Sequence, residues 1–270
     1  PPLSFSAVRL IETMGDEDHS LDDVLRVVET DSVLTANVLK VVNSAAFGLL
    51  QPISSLARAV AYLGDKLIVG LAIGSCAGHV FDRSLLGYQA EKGELWKHSL
   101  KTAIACKAVS QFANKKISSD IAYTAGILHD IGKSVLSDFL GGLTDVIVEN
   151  LEQQEMIDYI QAERDAIGTD HAEVGYLIAK HWNLPDILCE TIKYHHYPSE
   201  SSKEYINFVY VVHLGDLIAQ MAGSGTGMDT LQYSLDSLYE DYVAIKFQHL
   251  EKMIIEVNDA FQKSSATFFG

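Results

Sequence analysis

The sequence has few cysteines and few basic residues. Its three cysteines, Cys76, Cys106 and Cys189, are widely spaced and include no C-x-x-C pair, which argues against a disulfide framework or a thiolate zinc site. The 20 Lys and Arg are outnumbered by 36 Asp and Glu, so the formal net charge is −16. A negative chain is unsuited to nonspecific binding of nucleic acid or of an anionic membrane. We therefore expect a cytoplasmic protein that binds neither.

Long hydrophobic runs are also missing. The longest apolar stretch, from Leu67 to Gly78, is interrupted by Gly and Ser and is far shorter than the roughly 20 residues that span a bilayer. We expect a buried helix there. The first residues, from Pro1 to Phe5, lack the basic start and apolar core of a signal peptide. With 270 residues and 48% hydrophobic content, the chain is expected to fold around a substantial core.

Apolar residues recur along the chain with the period of an α-helix, and no segment shows the alternation typical of a strand. Ser20, Asp31, Ser118 and Asp170 stand where they could cap the first turns of helices. The pattern predicts an all-α fold. Helices are expected at about residues 21–28, 32–42, 54–63, 65–78, 94–113, 119–130, 143–165, 171–182, 186–196, 205–221 and 243–261.

The mixed segment from Arg83 to Gly93 has glycines near both ends and is the predicted boundary between two helical lobes. A second boundary is expected at the glycine-rich turn that begins at Gly223. The sequence thus predicts an N-terminal helical lobe over residues 1–86, a helical core over residues 87–222 and a C-terminal helical extension over residues 223–270.

The stretch from Gly126 to Lys133 contains an adjacent His129-Asp130 pair. An imidazole nitrogen beside a carboxylate oxygen suits Fe, Mn, Zn or Ni better than Ca or Mg. A single buried histidine is more often a hydrogen-bonded core residue than a ligand, so the prediction of a metal site depends on a whole set. The set lies on five predicted helices and consists of His98, His129, Asp130, His171, His195 or His196, and Asp216. Glu94, one helical turn before His98, is a further candidate ligand.

These residues, in this order, resemble the HD superfamily of metal-dependent phosphohydrolases, and Leu-His-Asp-Ile-Gly-Lys at 128–133 is similar to its most specific motif. The N-terminal half resembles the HDOD family, the "HD-related output domain". The matching segments are residues 31–35, 41–47, 53–60, 63–64, 96–99, 170–175 and 182–185, so the resemblance covers about residues 3–221.

The resemblance implies an HD-superfamily-like helical core in a bacterial signal-transduction protein, often joined to receiver or sensory modules. HDOD members commonly lose several metal ligands, but this chain keeps each HD-type histidine and both aspartates. One or two divalent transition-metal ions, of Fe, Mn, Ni or Zn, are therefore expected. The implied ligands are His98, His129, Asp130, His171, His195, His196, Asp216 and Glu94.

Two functions stay open at this point. One is a regulatory output module with a signalling protein or domain as its partner and a structural or vestigial metal. The other is a metal-dependent phosphohydrolase for phosphoesters, nucleotides or cyclic dinucleotides, in which Asp130 and Lys133 act in catalysis and Lys133 contacts a phosphate-containing ligand, as the related HD-GYP motif implies. Alternatively, Lys133 is a solvated lysine at the C-terminus of a helix and has no part in the site. After His195-His196 the chain lacks the Gly-Tyr-Pro element of HD-GYP proteins, which weakens the prediction of a cyclic dinucleotide.

Overall fold

The computed structural model confirms the all-α fold. Within the part of the chain that the structure describes, the regular structure is helical apart from two isolated β-bridges, Leu85–Ala90 and Ala113–Val243, and there is no β-strand. None of the helices in this part combines the length and the apolar character needed to cross a membrane. The described residues are 5–15, 19–43, 53–63, 83–144, 147, 158–182 and 184–269.

We number the α-helices of the described residues in chain order. They are α1 (Phe5–Gly15), α2 (Leu21–Glu29), α3 (Ser32–Val42), α4 (Leu56–Leu63), α5 (Glu94–Val109), α6 (Ser119–Leu128), α7 (Lys133–Leu140), α8 (Tyr159–Ile167), α9 (His171–His181), α10 (Asp186–Tyr194), α11 (Ile206–Met221) and α12 (Phe247–Phe269).

The chain divides into two compact units. One consists of Pro1–Gly78 with Asn258–Gly270, and the other of His79–Val257. Helices α1 to α4 belong to the first unit, whereas α5 to α11 and every predicted metal ligand belong to the second. The division into three segments that the sequence favours stays a prediction.

In the first unit, side chains cap two helices, and one asparagine joins the end of a helix to a later segment. Ser20 and Asp23 form a capping box at the start of α2, and Asp31 accepts a hydrogen bond from the amide of Leu34 at 3.0 Å to cap α3. Asn43 donates to the carbonyl of Ile53 at 2.8 Å and accepts from its amide at 2.7 Å. Because a side-chain amide offers both a donor and an acceptor, one residue can tie the end of α3 to the residues before α4.

Two glycines let helices of the second unit approach closely. A Cβ atom on Gly126 of α6 would lie 2.7 Å from the Cα of Ala103 in α5. A Cβ atom on Gly215 of α11 would lie 2.4 Å from the Sγ of Cys106, also in α5. Helix α5 therefore packs tightly against both α6 and α11. This contact brings the residues at the end of α6 and in the middle of α11 toward the same side of α5.

Gly132 gives a testable packing prediction. Its backbone angles are ordinary for any residue, φ −62° and ψ −31°, but an added Cβ would lie 1.9 Å from the carbonyl oxygen of His171. We expect Gly132→Ala to lower the free energy of unfolding by about 1–3 kcal/mol or more, because α9 must move away. Gly142→Ala is the control, since nothing lies within 4 Å of its added Cβ. Equal urea denaturation midpoints for the two variants would contradict this packing argument.

Several predicted helices differ from the observed ones. The predicted helix over residues 143–165 is wrong at Asp158, whose backbone is extended and whose side chain accepts from the amide of Ile160 at 3.1 Å to start α8. The last helix begins at Phe247 rather than Val243, because the backbone of Tyr242 and Ala244 instead bonds to residues 112–114. Helices α1 and α7 were not predicted as separate elements, and the helix expected at 65–78 falls outside the described residues.

Candidate metal centre

The structure brings seven of the eight predicted ligands into one buried cluster. They come mostly from helix ends: His129 and Asp130 follow α6, His171 begins α9, and His195 and His196 follow α10. The other two lie within helices, His98 in α5 and Asp216 in α11. None of the seven side chains is more than 6% exposed, so the whole cluster is closed to solvent.

Asp130 stands at the centre and divides the cluster into two halves. Its Oδ2 atom lies 3.3 Å from His98 Nε2 and 3.4 Å from His129 Nε2. Its Oδ1 atom lies 3.3 Å from His171 Nε2 and 3.5 Å from His195 Nε2. We define site A as His98, His129, Asp130 and Asp216, and site B as Asp130, His171, His195 and His196. The Asp216 carboxylate completes site A, with Oδ1 3.1 Å from His98 Nε2.

The outer nitrogens of three histidines are fixed by backbone carbonyl groups. A carbonyl oxygen only accepts, so each Nδ1 must carry a proton and each Nε2 is left to face the cluster. This arrangement, with one ring nitrogen held by a hydrogen bond and the other directed inward, is typical of metal-binding histidines. The Nδ1–O distances are 2.7 Å for His98 to Ser224, 2.9 Å for His129 to Gly126 and 2.8 Å for His195 to Ile192.

The inward-facing atoms fit a divalent cation. Both Asp130 oxygens and His195 Nε2 are buried without a hydrogen bond. Asp130 Oδ2 also lies 2.7 Å from Lys133 Nζ, with which it forms an ion pair. His171 Nε2 and His196 Nε2 are 2.9 Å apart, a spacing that needs a positive charge or a proton between two lone pairs. Buried polar atoms are seldom left without a partner. Imidazole nitrogens together with carboxylate oxygens are a set of donor atoms that suits transition metals.

Burial and the neighbouring carboxylates shift the pKa values of three cluster histidines in different directions. Burial lowers the pKa of His98, but the carboxylates of Asp130 and Asp216, which lie 3.3 and 3.1 Å from its Nε2, outweigh burial and raise that pKa to about 10. Burial likewise lowers the pKa of His171, while the charge of Glu163 raises it to about 10. Burial alone dominates at His195 and lowers its pKa to about 4. The neighbouring carboxylates therefore favour the protonated forms of His98 and His171, and metal binding would release those protons.

Lys133 is buried rather than solvated. Its side chain is fully enclosed, with Nζ 2.7 Å from Asp130 Oδ2 and 2.5 Å from Asp229 Oδ2, and it donates to Thr226 Oγ1 at 2.9 Å. Burial lowers the pKa of Lys133, but the charges of Asp130 and Asp229 raise it above the usual value. The interpretation of Lys133 as a solvated surface residue is wrong, and its contact with a phosphate stays a prediction.

A segment that the sequence marked only as a glycine-rich turn covers the cluster. We define the closing segment as Ser224–Tyr233. Besides the Ser224 carbonyl and the Asp229 carboxylate, it supplies the ring of Tyr233, which stacks on His196 with 3.9 Å between ring centroids. Gly227 has a φ of +106°, and an added Cβ would lie 2.0 Å from the carbonyl oxygen of Tyr88, so only glycine fits there.

Glu94 and Glu163 differ from what the sequence predicts. Among the described residues, the groups whose ligand atoms lie within 4.8 Å of one another do not include Glu94, which instead accepts from the amide of Glu91 at 2.8 Å. Glu163, which the sequence analysis did not identify, is fully buried against His171. It is one of several Glu and Gln residues in its segment, and no spacing in the sequence marks it out.

Known proteins resemble this chain over most of its length. The family model "HDOD domain" matches residues 1–198. An "Uncharacterized protein" of Treponema pallidum (strain Nichols) is 24% identical over 243 residues, which cover 88% of this chain and 46% of that protein. The chain thus spans less than half the length of that relative.

Solved structures share the helical fold. An HDOD domain protein with unknown function from Geobacter sulfurreducens has 26% sequence identity and a TM-score of 0.73, and the match covers 98% of this chain and 93% of that one. A protein of Shewanella amazonensis SB2B, named "Putative phosphohydrolase", has 20% identity and a TM-score of 0.73, with 99% and 94% covered.

Proposed function

Because the chain belongs to the HDOD family, we propose that it acts mainly as a regulatory output module whose His–Asp cluster holds one or two divalent transition-metal ions. Closure of the cluster is the observation that carries the regulatory role, since no residue of sites A and B is more than 6% exposed. A hydrolase must admit its substrate to a cleft, whereas a structural centre benefits from low dielectric around its charges.

Charge balance supports the metal. Asp130, Asp216, Glu163 and Asp229 are buried carboxylates within the second unit, and Lys133 is the buried ammonium that faces two of them. Buried carboxylates without enough positive charge are costly, and a divalent ion offsets that cost. When bound, such an ion would supply concentrated positive charge and Lewis acidity at Asp130. The seven ligand side chains would then hold the ends of α6, α9 and α10 against α5 and α11.

The second candidate is a metal-dependent phosphohydrolase, favoured by the complete set of HD-type ligands and by the name of the Shewanella amazonensis relative. In that role Asp130 would hold both halves of the cluster together. Lys133 would bind a phosphate oxygen, and it would first have to exchange its ion pair with Asp229 for the phosphate. The closing segment would have to move to admit any substrate.

The partner that we propose for the regulatory role is a signalling protein or domain. Nucleic acid is disfavoured by the formal charge of −16. Cys106 and Cys189 are free and buried, in keeping with our expectation of a reducing cytoplasm.

A turnover assay separates the two candidates. Protein loaded in turn with Mn²⁺, Fe²⁺, Ni²⁺ or Zn²⁺ is incubated with phosphomonoesters, nucleotides and cyclic dinucleotides, and the release of phosphate, pyrophosphate or linear dinucleotide is measured by chromatography. We expect no release above that of the Asp130→Ala variant, because the ligands are closed to solvent.

The matched control for the turnover assay is Asp138→Ala, which removes an exposed carboxylate paired with Arg83 and leaves the cluster untouched. Turnover that survives in Asp138→Ala and disappears in Asp130→Ala would refute the regulatory proposal and establish the hydrolase. Turnover that persists in both variants would mark a contaminating enzyme.

A further inference from the structure

Glu163 of α8 is a buried carboxylate, and both of its oxygens have hydrogen-bond partners. It is 0% exposed, and its Oε1 and Oε2 atoms lie 3.0 and 2.9 Å from His171 Nδ1. Oε2 also accepts from the backbone amide of His171 at 2.8 Å, and the hydroxyl of Tyr88 donates to Oε1 at 2.5 Å. Fully buried carboxylates are rare unless they are paired, so the position of this one calls for a specific role.

The two halves of the cluster differ in how their histidines are held. In site A the outer nitrogens of His98 and His129 both donate to neutral backbone carbonyls. In site B the outer nitrogen of His195 does the same, whereas that of His171 faces the Glu163 carboxylate. Among the described residues, His171 is thus the cluster histidine whose Nδ1 is backed by a charged group.

The halves also differ in their own negative charge. Site A contains the Asp216 carboxylate in addition to the shared Asp130, but site B contains three histidines and only the shared carboxylate. A divalent ion in site B would therefore meet less compensating charge among its direct ligands. Glu163 faces the other ring nitrogen of His171 and would add negative charge to site B through that ring.

We propose that Glu163 is a positioning residue for site B: it holds His171 with Nε2 facing the cluster and supplies through the ring the negative charge that site B lacks. This inference rests on the proposed metal-binding function and deepens it. A carboxylate that accepts from the outer nitrogen of a metal-binding histidine fixes its tautomer and makes it a stronger donor. Removal of the charge should weaken site B and leave site A nearly unchanged.

Zinc binding to single-site backgrounds tests the proposal. Asp216→Asn impairs site A, and His196→Gln impairs site B, without altering the shared Asp130. Each background is combined with Glu163→Gln, which keeps the shape of the side chain and removes its charge. Zn²⁺ affinity is measured by competition with a chromogenic chelator. We expect Glu163→Gln to weaken zinc binding by about 10–100-fold in the Asp216→Asn background and by less than about 3-fold in the His196→Gln background.

Glu173→Gln is the matched control for this series. It makes the same chemical change at Glu173 of α9, which forms an ion pair with Lys193. Zinc affinity should not change with it. Equal weakening of both backgrounds by Glu163→Gln would show a general structural role and overturn the proposal, as would an unchanged affinity in the Asp216→Asn background. If wild-type protein binds no zinc at all, the proposed metal function fails, which is a distinguishable result.

A second measurement keeps Glu163 intact in case Glu163→Gln does not fold. In the zinc-loaded Asp216→Asn variant, the Nδ1 proton of His171 should resonate downfield of the Nδ1 protons of His129 and His195, because its acceptor is charged. A His171 resonance that falls among the carbonyl-bonded protons would overturn the proposal.

Discussion

Replacing Asp130 with alanine is expected to abolish metal binding in both halves of the cluster. Asp130 is the residue that sites A and B share, with Oδ2 toward His98 and His129 and Oδ1 toward His171 and His195. Its loss removes the central negative charge and leaves imidazoles that repel a cation once they are protonated. We expect the metal content after purification without chelator to fall below about 0.2 equivalents, as measured by mass spectrometry of the digested protein.

Asp138→Ala is the control for the loss of a carboxylate, because Asp138 is exposed and pairs with Arg83 on the surface. It should retain the metal content of the wild type. Asp216→Asn provides a graded comparison, since Asp216 belongs to site A alone and its loss should leave an ion in site B. Full metal content in Asp130→Ala would mean that Asp130 is not the shared ligand.

Replacing Lys133 with methionine is expected to destabilise the protein by about 3–5 kcal/mol, which is the usual cost of breaking a buried ion pair by removing one partner. Methionine fills a similar volume, so the effect comes from the charge. Without Lys133, the Asp229 carboxylate stays buried, and the side-chain donors left to it among the described residues are the hydroxyls of Thr226 and Tyr233. Urea denaturation followed by circular dichroism measures the change.

A double-mutant cycle checks the assignment to this ion pair. Adding Asp229→Asn to Lys133→Met removes the uncompensated charge, and we expect it to restore about 0.5–3 kcal/mol of the lost free energy of unfolding. Lys180→Met, which breaks an exposed pair with Asp186, should change stability little. A Lys133→Met variant as stable as the wild type would contradict the buried geometry of this ammonium group.

Helix starts were predictable from the sequence because they depend on local chemistry. Ser20, Asp31, Ser118 and Asp170 each cap the helix that follows, as their side-chain hydrogen bonds demonstrate. Apolar periodicity did not reveal the break at Asp158, because a capping aspartate inside a polar amphipathic segment looks like one more acidic residue. The late start of α12 depends on backbone bonds to residues 112–114, which no local pattern records.

The residues of the His–Asp cluster were predictable for a different reason. Histidine and aspartate are the residue types that bind transition metals, and their order along the chain resembles that of a known family. Seven of the eight candidates lie close together in the structure. Glu94 was included from helical spacing alone, and spacing does not determine which way a side chain at the first turn points.

The residues around the His–Asp cluster could not be predicted from the sequence. Glu163, Asp229 and Tyr233 act through tertiary contacts with His171, Lys133 and His196, and an acidic or aromatic residue in an amphipathic segment gives no sign of such a contact. The closing segment shows the same limit, because its glycines indicate a turn and say nothing about what the turn covers.

The metal content of native protein tests the account most directly. Protein purified without chelator should contain about one to two equivalents of Fe, Mn, Ni or Zn, in keeping with two groups of buried ligands that share Asp130. Less than about 0.2 equivalents of every transition metal, in protein that also fails to take up added Zn²⁺, would contradict the claim that this cluster is a metal centre.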